Sequence, residues 1–264
     1  VEPVLYKQGQ NIVVMCEGRV TENQISTLNS LGLLSDNSVD YAMYAGALVL
    51  VAAILALMAV LLRHFCPDVY FDGKRLAILY LAAVLTLALG YLAKSVQLLY
   101  LAPLVLPYML LTVTLGALPA FITGLSTTLV ASLMLSGSGG TSADVINLHI
   151  ISSFSGALSV LLLNNRYQRS FLLFTGALVG FANFLIIFAT GLMGSMSMTN
   201  PTNKALWALA GGVINALLCL SLQPAVESLF NLPTPMRLLD LTNPNHPLMR
   251  RLLLEAPGTY HHSI

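Results

Sequence analysis

Long apolar runs that contain almost no charged residues alternate with short polar segments over most of the chain. Seven of these runs are long enough to cross a bilayer, because a hydrocarbon core of roughly 30 Å needs about 17 to 25 helical residues. The predicted spans are residues 41–62, 76–92, 96–115, 117–135, 146–163, 171–193 and 205–222. The pattern predicts an all-α membrane protein built as a seven-transmembrane helix bundle.

Prolines make the third and fourth predicted spans the least regular part of this pattern. Pro103 and Pro107 lie inside the third span and are expected to kink it, since proline lacks the N–H that a helix interior uses. Pro119 suits the first turn of the fourth span, where that N–H would have no partner anyway. Only residues 114–116 offer a turn between the two spans, so this boundary is the weakest.

The basic residues are divided unevenly between the two sides that seven spans would create. Cytoplasmic loops of membrane proteins carry an excess of Lys and Arg. Eight of the twelve basic residues fall on one side: Arg63, Lys74, Arg75, Arg166, Arg169, Arg237, Arg250 and Arg251. The other side has Lys7, Arg19, Lys94 and Lys204. This distribution predicts a multi-pass protein of the cell membrane with an extracytoplasmic N-terminus and a cytoplasmic C-terminus.

Mixed polar and apolar segments flank the spans. Residues 10–14 alternate like a short strand, and Thr21 with Gln24 forms a capping box for a helix that Gly32 can end. After the last span, Thr234 followed by proline resembles a helix start. We expect three regions, namely the end of an extracytoplasmic domain (1–40), the seven-helix membrane domain (41–222) and a helical cytoplasmic linker that begins a further domain (223–264).

The composition argues against a water-soluble protein. Hydrophobic residues make up 56% of the chain and charged residues 9%, against about 25% charged residues in ordinary soluble domains. Mean hydropathy is +0.80, and the net charge is only +1. The lipid bilayer is therefore an expected partner and a nucleic acid polymer is not. Cys16, Cys66 and Cys219 lie far apart, without metal-ligand spacing, and are predicted to be unpaired thiols.

Polar side chains at membrane depth are candidate functional groups, because they are costly to bury in lipid. The candidates are Lys94, His149, Asn183 and Asn215. Together they form no recognisable relay, so structural roles are favoured. Lys94 is expected to reach the interface and His149 to bond to Asp144, one turn away. The two asparagines are expected to form hydrogen bonds between helices.

Two glycine patterns have different predicted meanings. Gly176-x-x-x-Gly180 allows another helix to approach closely. The glycine-rich loop 137–140 lacks the Lys-Ser/Thr ending of a phosphate-binding loop and is predicted to lie outside, so it is not a nucleotide site.

Transporters typically have broken helices in matching positions of two halves. Here the prolines concentrate in the third and fourth spans without a later pair, which makes a transporter the less favoured class.

Both ends of the chain carry a family resemblance. The segment 237–264 ends in Pro-Gly-Thr-Tyr-His-His-Ser-Ile and closely resembles the junction of the bacterial seven-transmembrane HD phosphohydrolases. The pieces Gly9-Gln10-x-Ile12-Val13 and Glu17-Gly18-x-Val20-Thr21, followed by Leu31-Gly32-Leu33, resemble the end of that family's extracytoplasmic domain. The resemblance implies an outer domain, seven membrane helices and a cytoplasmic HD domain that hydrolyses cyclic di-AMP. Region 223–264 would then be the linker and the start of the HD domain.

The same resemblance implies a pair of divalent metal ions, of Mn, Fe or Mg, held by histidines and aspartates. His262, followed by Ser263, matches the first ligand of the family pattern. His261 is turned by about 100° on a helix and is not expected to bind the same metal. The later ligands of the pattern do not occur in this chain, which begins with Val1 rather than Met. We expect an internal piece of a longer protein, inactive by itself.

These observations lead to one favoured hypothesis and two alternatives. The favoured one is the membrane and sensor portion of a metal-dependent phosphodiesterase for cyclic di-AMP. Its further partners would be an unidentified extracytoplasmic signal and a second copy of the chain. The alternatives are a transporter or channel and a non-catalytic membrane anchor.

Overall fold

The computed structural model describes residues 22–30, 41–136, 142–166, 168–193, 199–232, 234, 238, 250–251 and 255. The chain divides into two compact units, Val1–Leu48 and Val49–Ile264. Each unit is described by itself. All regular structure in the described residues is helical.

The helices follow the predicted spans closely. The first unit contains α1 (Glu22–Ser30) and the beginning of α2 (Tyr41–Phe65). The rest of the chain forms α3 (Pro67–Tyr70), α4 (Gly73–Ser95), a 3₁₀ helix (Leu99–Leu101), α5 (Leu106–Leu115), α6 (Ala117–Ser136), α7 (Ser142–Leu163), α8 (Arg169–Met193) and α9 (Thr199–Phe230). Among the described residues, α2, α4, α6, α7, α8 and α9 are long and apolar enough to cross a membrane. The chain is therefore an all-α, multi-pass membrane protein.

The third predicted span differs from a single kinked helix. It consists of the 3₁₀ helix and α5, separated by an irregular stretch at residues 102–105. Pro103 explains the break, because the residue before a proline is driven out of the helical conformation, and Ala102 has φ −54° and ψ 129°. Pro107 lies in the first turn of α5, where proline is tolerated. Pro119 lies in the first turn of α6, as predicted.

Helix α5 lies at the centre of the second unit. It contacts α4, α6, α7 and α9, and eight of its ten residues, from Leu106 to Val113, are buried. Tyr108 fits between two glycines, because a Cβ added to Gly124 or to Gly156 would come within 2.5 Å of its ring. The Tyr108 hydroxyl lies 3.3 Å from Thr128 Oγ1. The two glycines thus make room for an aromatic side chain that joins α5, α6 and α7.

The most extensive helix contact joins α8 and α9. A Cβ added to Gly180 would overlap the carbonyl oxygen of Leu209, and one added to Gly212 would overlap the backbone of Gly180. A Cβ added to Gly176 would overlap the side chain of Ala216. The close helix approach predicted from Gly176-x-x-x-Gly180 is therefore confirmed, and its partner is α9.

Helix α2 is the most exposed of the long helices. Only 11% of the residues in its most apolar stretch are buried within the protein. Met58 and Leu62 are its deeply buried side chains in the main apolar cluster. Its remaining surface is rich in exposed aliphatic side chains such as Leu57 and Val60, which suit contact with lipid.

The flanking predictions are partly covered by the described residues. The helix expected after Thr21 is confirmed as α1, although Thr21 itself and the strand at residues 10–14 lie outside the described residues. The helix start at Thr234 is supported by the bond from Leu238 N to Thr234 O, at 3.0 Å. Further along, Arg251 Nε lies 2.7 Å from Glu255 Oε1, an i to i+4 ion pair.

Substitution of Gly180 tests the contact between α8 and α9. Gly180→Ala or Gly212→Ala should destabilise the chain by about 1–3 kcal/mol, because the added methyl group overlaps backbone atoms that cannot move aside independently. The control is Gly90→Ala in α4, where the nearest atom to the new Cβ would be Leu104 Cδ2 at 3.8 Å. Alanine there should be neutral or gain up to about 1 kcal/mol from helix propensity. The readout is the unfolding midpoint in mixed micelles. Equal stability of Gly180→Ala and Gly90→Ala would contradict the close contact between α8 and α9.

Candidate functional site

The predicted metal ligand lies beyond the described part of the chain. His262 and its neighbour His261 are outside it, as is the loop 137–140. Within the described ranges, no group of three or more His, Cys, Asp and Glu side chains is placed to hold a metal ion. The described residues therefore do not fit a metal site, and the polar groups of the bundle are the candidates that remain.

Lys94 caps another helix. Its Nζ donates to the carbonyl oxygens of Leu135 at 2.9 Å and Met134 at 3.4 Å, at the end of α6. The last carbonyls of a helix lack partners within the helix and carry partial negative charge, so an ammonium group there is favourable. This contact gives Lys94 a structural role between two helices, and its predicted place at the membrane interface stays a prediction. The contact also brings the C-terminal ends of α4 and α6 together.

His149 lies in α7 and is partly buried. Its Nδ1 is buried and has no hydrogen-bond partner among the described groups. The Asp144 side chain is outside the described set, so the predicted bond between the two residues stays a prediction.

The two asparagines behave differently. Asn183 in α8 accepts a short hydrogen bond at Oδ1 from Ser155 Oγ in α7, which confirms the predicted bond between helices. Asn215 instead donates from Nδ2 to Gly211 O at 2.7 Å, one turn earlier in its own helix. Both are almost fully buried near the middle of their helices.

A polar cluster at the end of α9 was missed by the sequence reasoning. Glu227 Oε1 accepts from Gln223 Nε2 at 2.9 Å and, by a short bond, from Thr234 Oγ1. All three side chains are buried. The i to i+4 spacing of Gln223 and Glu227 could have revealed the first bond. The second requires the path of the chain after α9, which the sequence does not provide.

This cluster, which we call the exit cluster (Gln223, Glu227 and Thr234), fixes the start of the C-terminal segment on α9. A buried carboxyl group is unfavourable without hydrogen-bond donors, so the fold depends on both donors being in place. Pro224 lies beside Gln223 and removes one backbone donor from this part of the helix. The exit cluster therefore attaches Thr234 to the last turns of α9, close to the part of the helix that Pro224 weakens.

The described cysteines are unpaired, as predicted. Cys66 and Cys219 are both buried free thiols, and Cys16 lies outside the described residues. Burial, and secondarily the charge of Asp68, raise the pKa of the Cys66 thiol. This thiol is a poor nucleophile at neutral pH, because the thiolate is the reactive form.

Comparison with known proteins gives consistent matches. A family model described as "7TM receptor with intracellular HD hydrolase" matches residues 41–234. The cyclic-di-AMP phosphodiesterase PgpH of Bacillus subtilis is 27% identical over 273 residues, and that of Listeria monocytogenes is 29% identical over 275 residues. Both matches cover 100% of this chain, and the chain spans only 38% and 37% of those relatives.

A third match is shorter. An uncharacterised protein, slr0104, of a Synechocystis species is 43% identical over 53 residues, which is 20% of this chain and 6% of the relative. No solved structure matches the chain significantly.

Removal of the Thr234 hydroxyl tests the exit cluster. Thr234→Val keeps the shape but leaves Glu227 with one donor fewer, which should cost about 1–3 kcal/mol of stability. Ser221→Ala is the matched control, because Ser221 is exposed and its hydroxyl donates to Leu217 O within α9, at 2.8 Å. It should change stability by less than about 0.5 kcal/mol. Unfolding midpoints in mixed micelles compare the two, and equal effects would show that the exit cluster contributes nothing.

Proposed function

This chain belongs to the family of seven-transmembrane receptors with an intracellular HD hydrolase, and we propose that it is the membrane and sensor portion of a phosphodiesterase for cyclic di-AMP. The observation that carries this proposal is the match over the whole chain to two proteins named as cyclic-di-AMP phosphodiesterases. The proposed regions are the end of an extracytoplasmic domain (1–40), the membrane domain (41–222) and the linker with the start of the HD domain (223–264).

We propose seven crossings, with the 3₁₀ helix and α5 together forming the third. The bond from Lys94 to Leu135 O places the C-terminal ends of α4 and α6 side by side. Two successive long helices that run parallel require the chain to return across the membrane between them. Residues 99–115 are the apolar segment available for that return. A break in the helix can lie within the membrane here because Ala102, Leu104 and Val105 are buried in protein and do not face lipid.

The proposed orientation places the N-terminus outside and the C-terminus in the cytoplasm. It is supported by the eight-to-four division of the twelve basic residues between the two sides. In this orientation the exit cluster lies at the cytoplasmic end of α9. A signal received outside would then reach the HD domain through α9 and the region 223–264, which contains Thr234. A second copy of the chain is a further proposed partner.

The metal site is proposed for the HD domain of the whole protein, with His262 as one ligand to Mn, Fe or Mg. When bound, the metal ions supply charge neutralisation at the phosphodiester and a water of lowered pKa. His261, its neighbour, is proposed not to ligate. No further step is assigned to this chain's described residues, because they offer no cluster of ligands.

Labelling of single cysteines tests the orientation. In a background without native cysteines, Ser138→Cys should react with a membrane-impermeant thiol reagent on intact cells, and Gln168→Cys should react only after permeabilisation. The sequence predicts loops on opposite sides for the two positions, and Gln168 is exposed. The reverse pattern would place the C-terminal segment outside, away from a cytoplasmic nucleotide.

Activity measurements test the function in a longer protein that carries a complete HD domain. That protein should hydrolyse cyclic di-AMP with Mn²⁺ or Mg²⁺, and the 264-residue chain should not. His262→Ala should remove bound metal and turnover, because a metal site depends on its number of ligands. His261→Ala should reduce turnover by about 10 to 100-fold at most, since it acts only through neighbouring groups.

Measuring metal content together with activity distinguishes failure of the ligand role of His262 from failure of the phosphodiesterase proposal. Equal metal occupancy in the parent protein and His262→Ala would contradict the ligand role of His262 and leave the phosphodiesterase proposal standing. An inactive but metal-loaded longer protein would contradict the phosphodiesterase proposal. Solute-dependent flux in liposomes would favour a transporter or channel instead.

A further inference from the structure

A small cavity lies in the second unit between the 3₁₀ helix, α7, α8 and α9. Its volume is about 20 Å³. Tyr100 of the 3₁₀ helix lines it, together with one smaller polar side chain from each long helix: Ser152, Asn183 and Asn215. Each of these three smaller side chains is at most 5% exposed and lies near the middle of its helix. These residues place a polar site close to the middle of the membrane-spanning region.

Asn215 has one satisfied and one unsatisfied polar atom. Its Nδ2 donates to Gly211 O, whereas Oδ1 is buried and receives no hydrogen bond from the described groups. A buried amide oxygen without a donor is unfavourable at this depth, because lipid offers none. The carbonyl is therefore expected to meet a donor that reaches it through the cavity.

The neighbouring groups have capacity for a further partner. Ser152 Oγ uses its proton on Leu148 O, at 2.7 Å, and its lone pairs can accept. Asn183 Oδ1 accepts from Ser155 Oγ, and an amide oxygen has two lone pairs. The three helices thus line one small space with acceptors from Ser152 and Asn215 and with the amide of Asn183, whose Nδ2 can donate. None of the described residues that line it is acidic.

We propose that this cavity binds one water molecule, which donates to Asn215 Oδ1 and Ser152 Oγ and accepts from Asn183 Nδ2. The cavity has room for one water, because a water needs at least about 10 to 15 Å³ of accessible volume and two to four polar partners. It is too small for a transported solute. Because no carboxylate lines the site, water is favoured over a cation. The bound water would join α9 to α7 and α8 at mid-membrane.

A double-mutant cycle tests the bridge by its effect on stability. Asn215→Leu removes the acceptor and fills the cavity, and should lower the melting temperature in detergent by roughly 2–4 °C, because Ser152 and Asn183 lose the water. Adding Ser152→Ala should cost less than it does in the parent chain, since the water is already gone. The matched control is Ser159→Ala in the same helix, whose buried hydroxyl bonds to Gly156 O at 2.8 Å. Its effect should be additive with Asn215→Leu.

A direct structural measurement does not depend on the variants folding. A high-resolution crystal or cryo-EM map of the parent chain should show a solvent peak about 2.7–3.2 Å from Asn215 Oδ1. Resolved lining side chains without that peak would overturn the proposal, as would a higher stability of Asn215→Leu. Stability that rises with Na⁺ and not with choline at equal ionic strength would also overturn it, by identifying a cation as the occupant.

Discussion

The constraint on which the structure depends is that a backbone inside a bilayer must satisfy its polar groups within the protein. The long helices meet this requirement by themselves. The broken segment at residues 102–105 does not, and it is acceptable because it is buried in protein, where Ala102 and Leu104 share an apolar cluster with residues of α6 and α7. The placement of α5 at the centre of the second unit follows from that requirement.

The same constraint explains why small residues recur where helices meet the centre of the bundle. Apolar side chains gain little by leaving lipid for another apolar surface, so close packing and hydrogen bonds provide the cohesion. Gly124 and Gly156 admit the ring of Tyr108, and Gly180 and Gly212 bring the backbones of α8 and α9 together. Each of these contacts brings neighbouring helices closer than larger residues would allow.

Much of the fold could be predicted from the sequence because span length and hydropathy are local properties. Five of the six long apolar helices begin and end within four residues of the predicted bounds, whereas α9 ends at Phe230, eight residues beyond the predicted end at 222. Pro103 indicated a disturbance, but the split into a 3₁₀ helix and α5 depends on the helices that enclose it. The pairing of Lys94 with Leu135 at the end of α6 joins residues 41 positions apart, and no local pattern reveals such a partner. The resemblance at His262 rests on a sequence string, and this residue is outside the described ranges.

Helix α9 is the element best placed to carry a change out of the bundle. Near its middle, Gly211 approaches the 3₁₀ helix so closely that an added Cβ would lie 3.0 Å from Tyr100 O, and Gly212 contacts α8. Its far end holds Glu227 and, through it, Thr234. A helix fixed at these points transmits a displacement along its length, whereas a loosely tethered linker would absorb it. In the proposed relay, the buried bond between Thr234 and Glu227 would therefore link motion of α9 to motion of the segment that follows it.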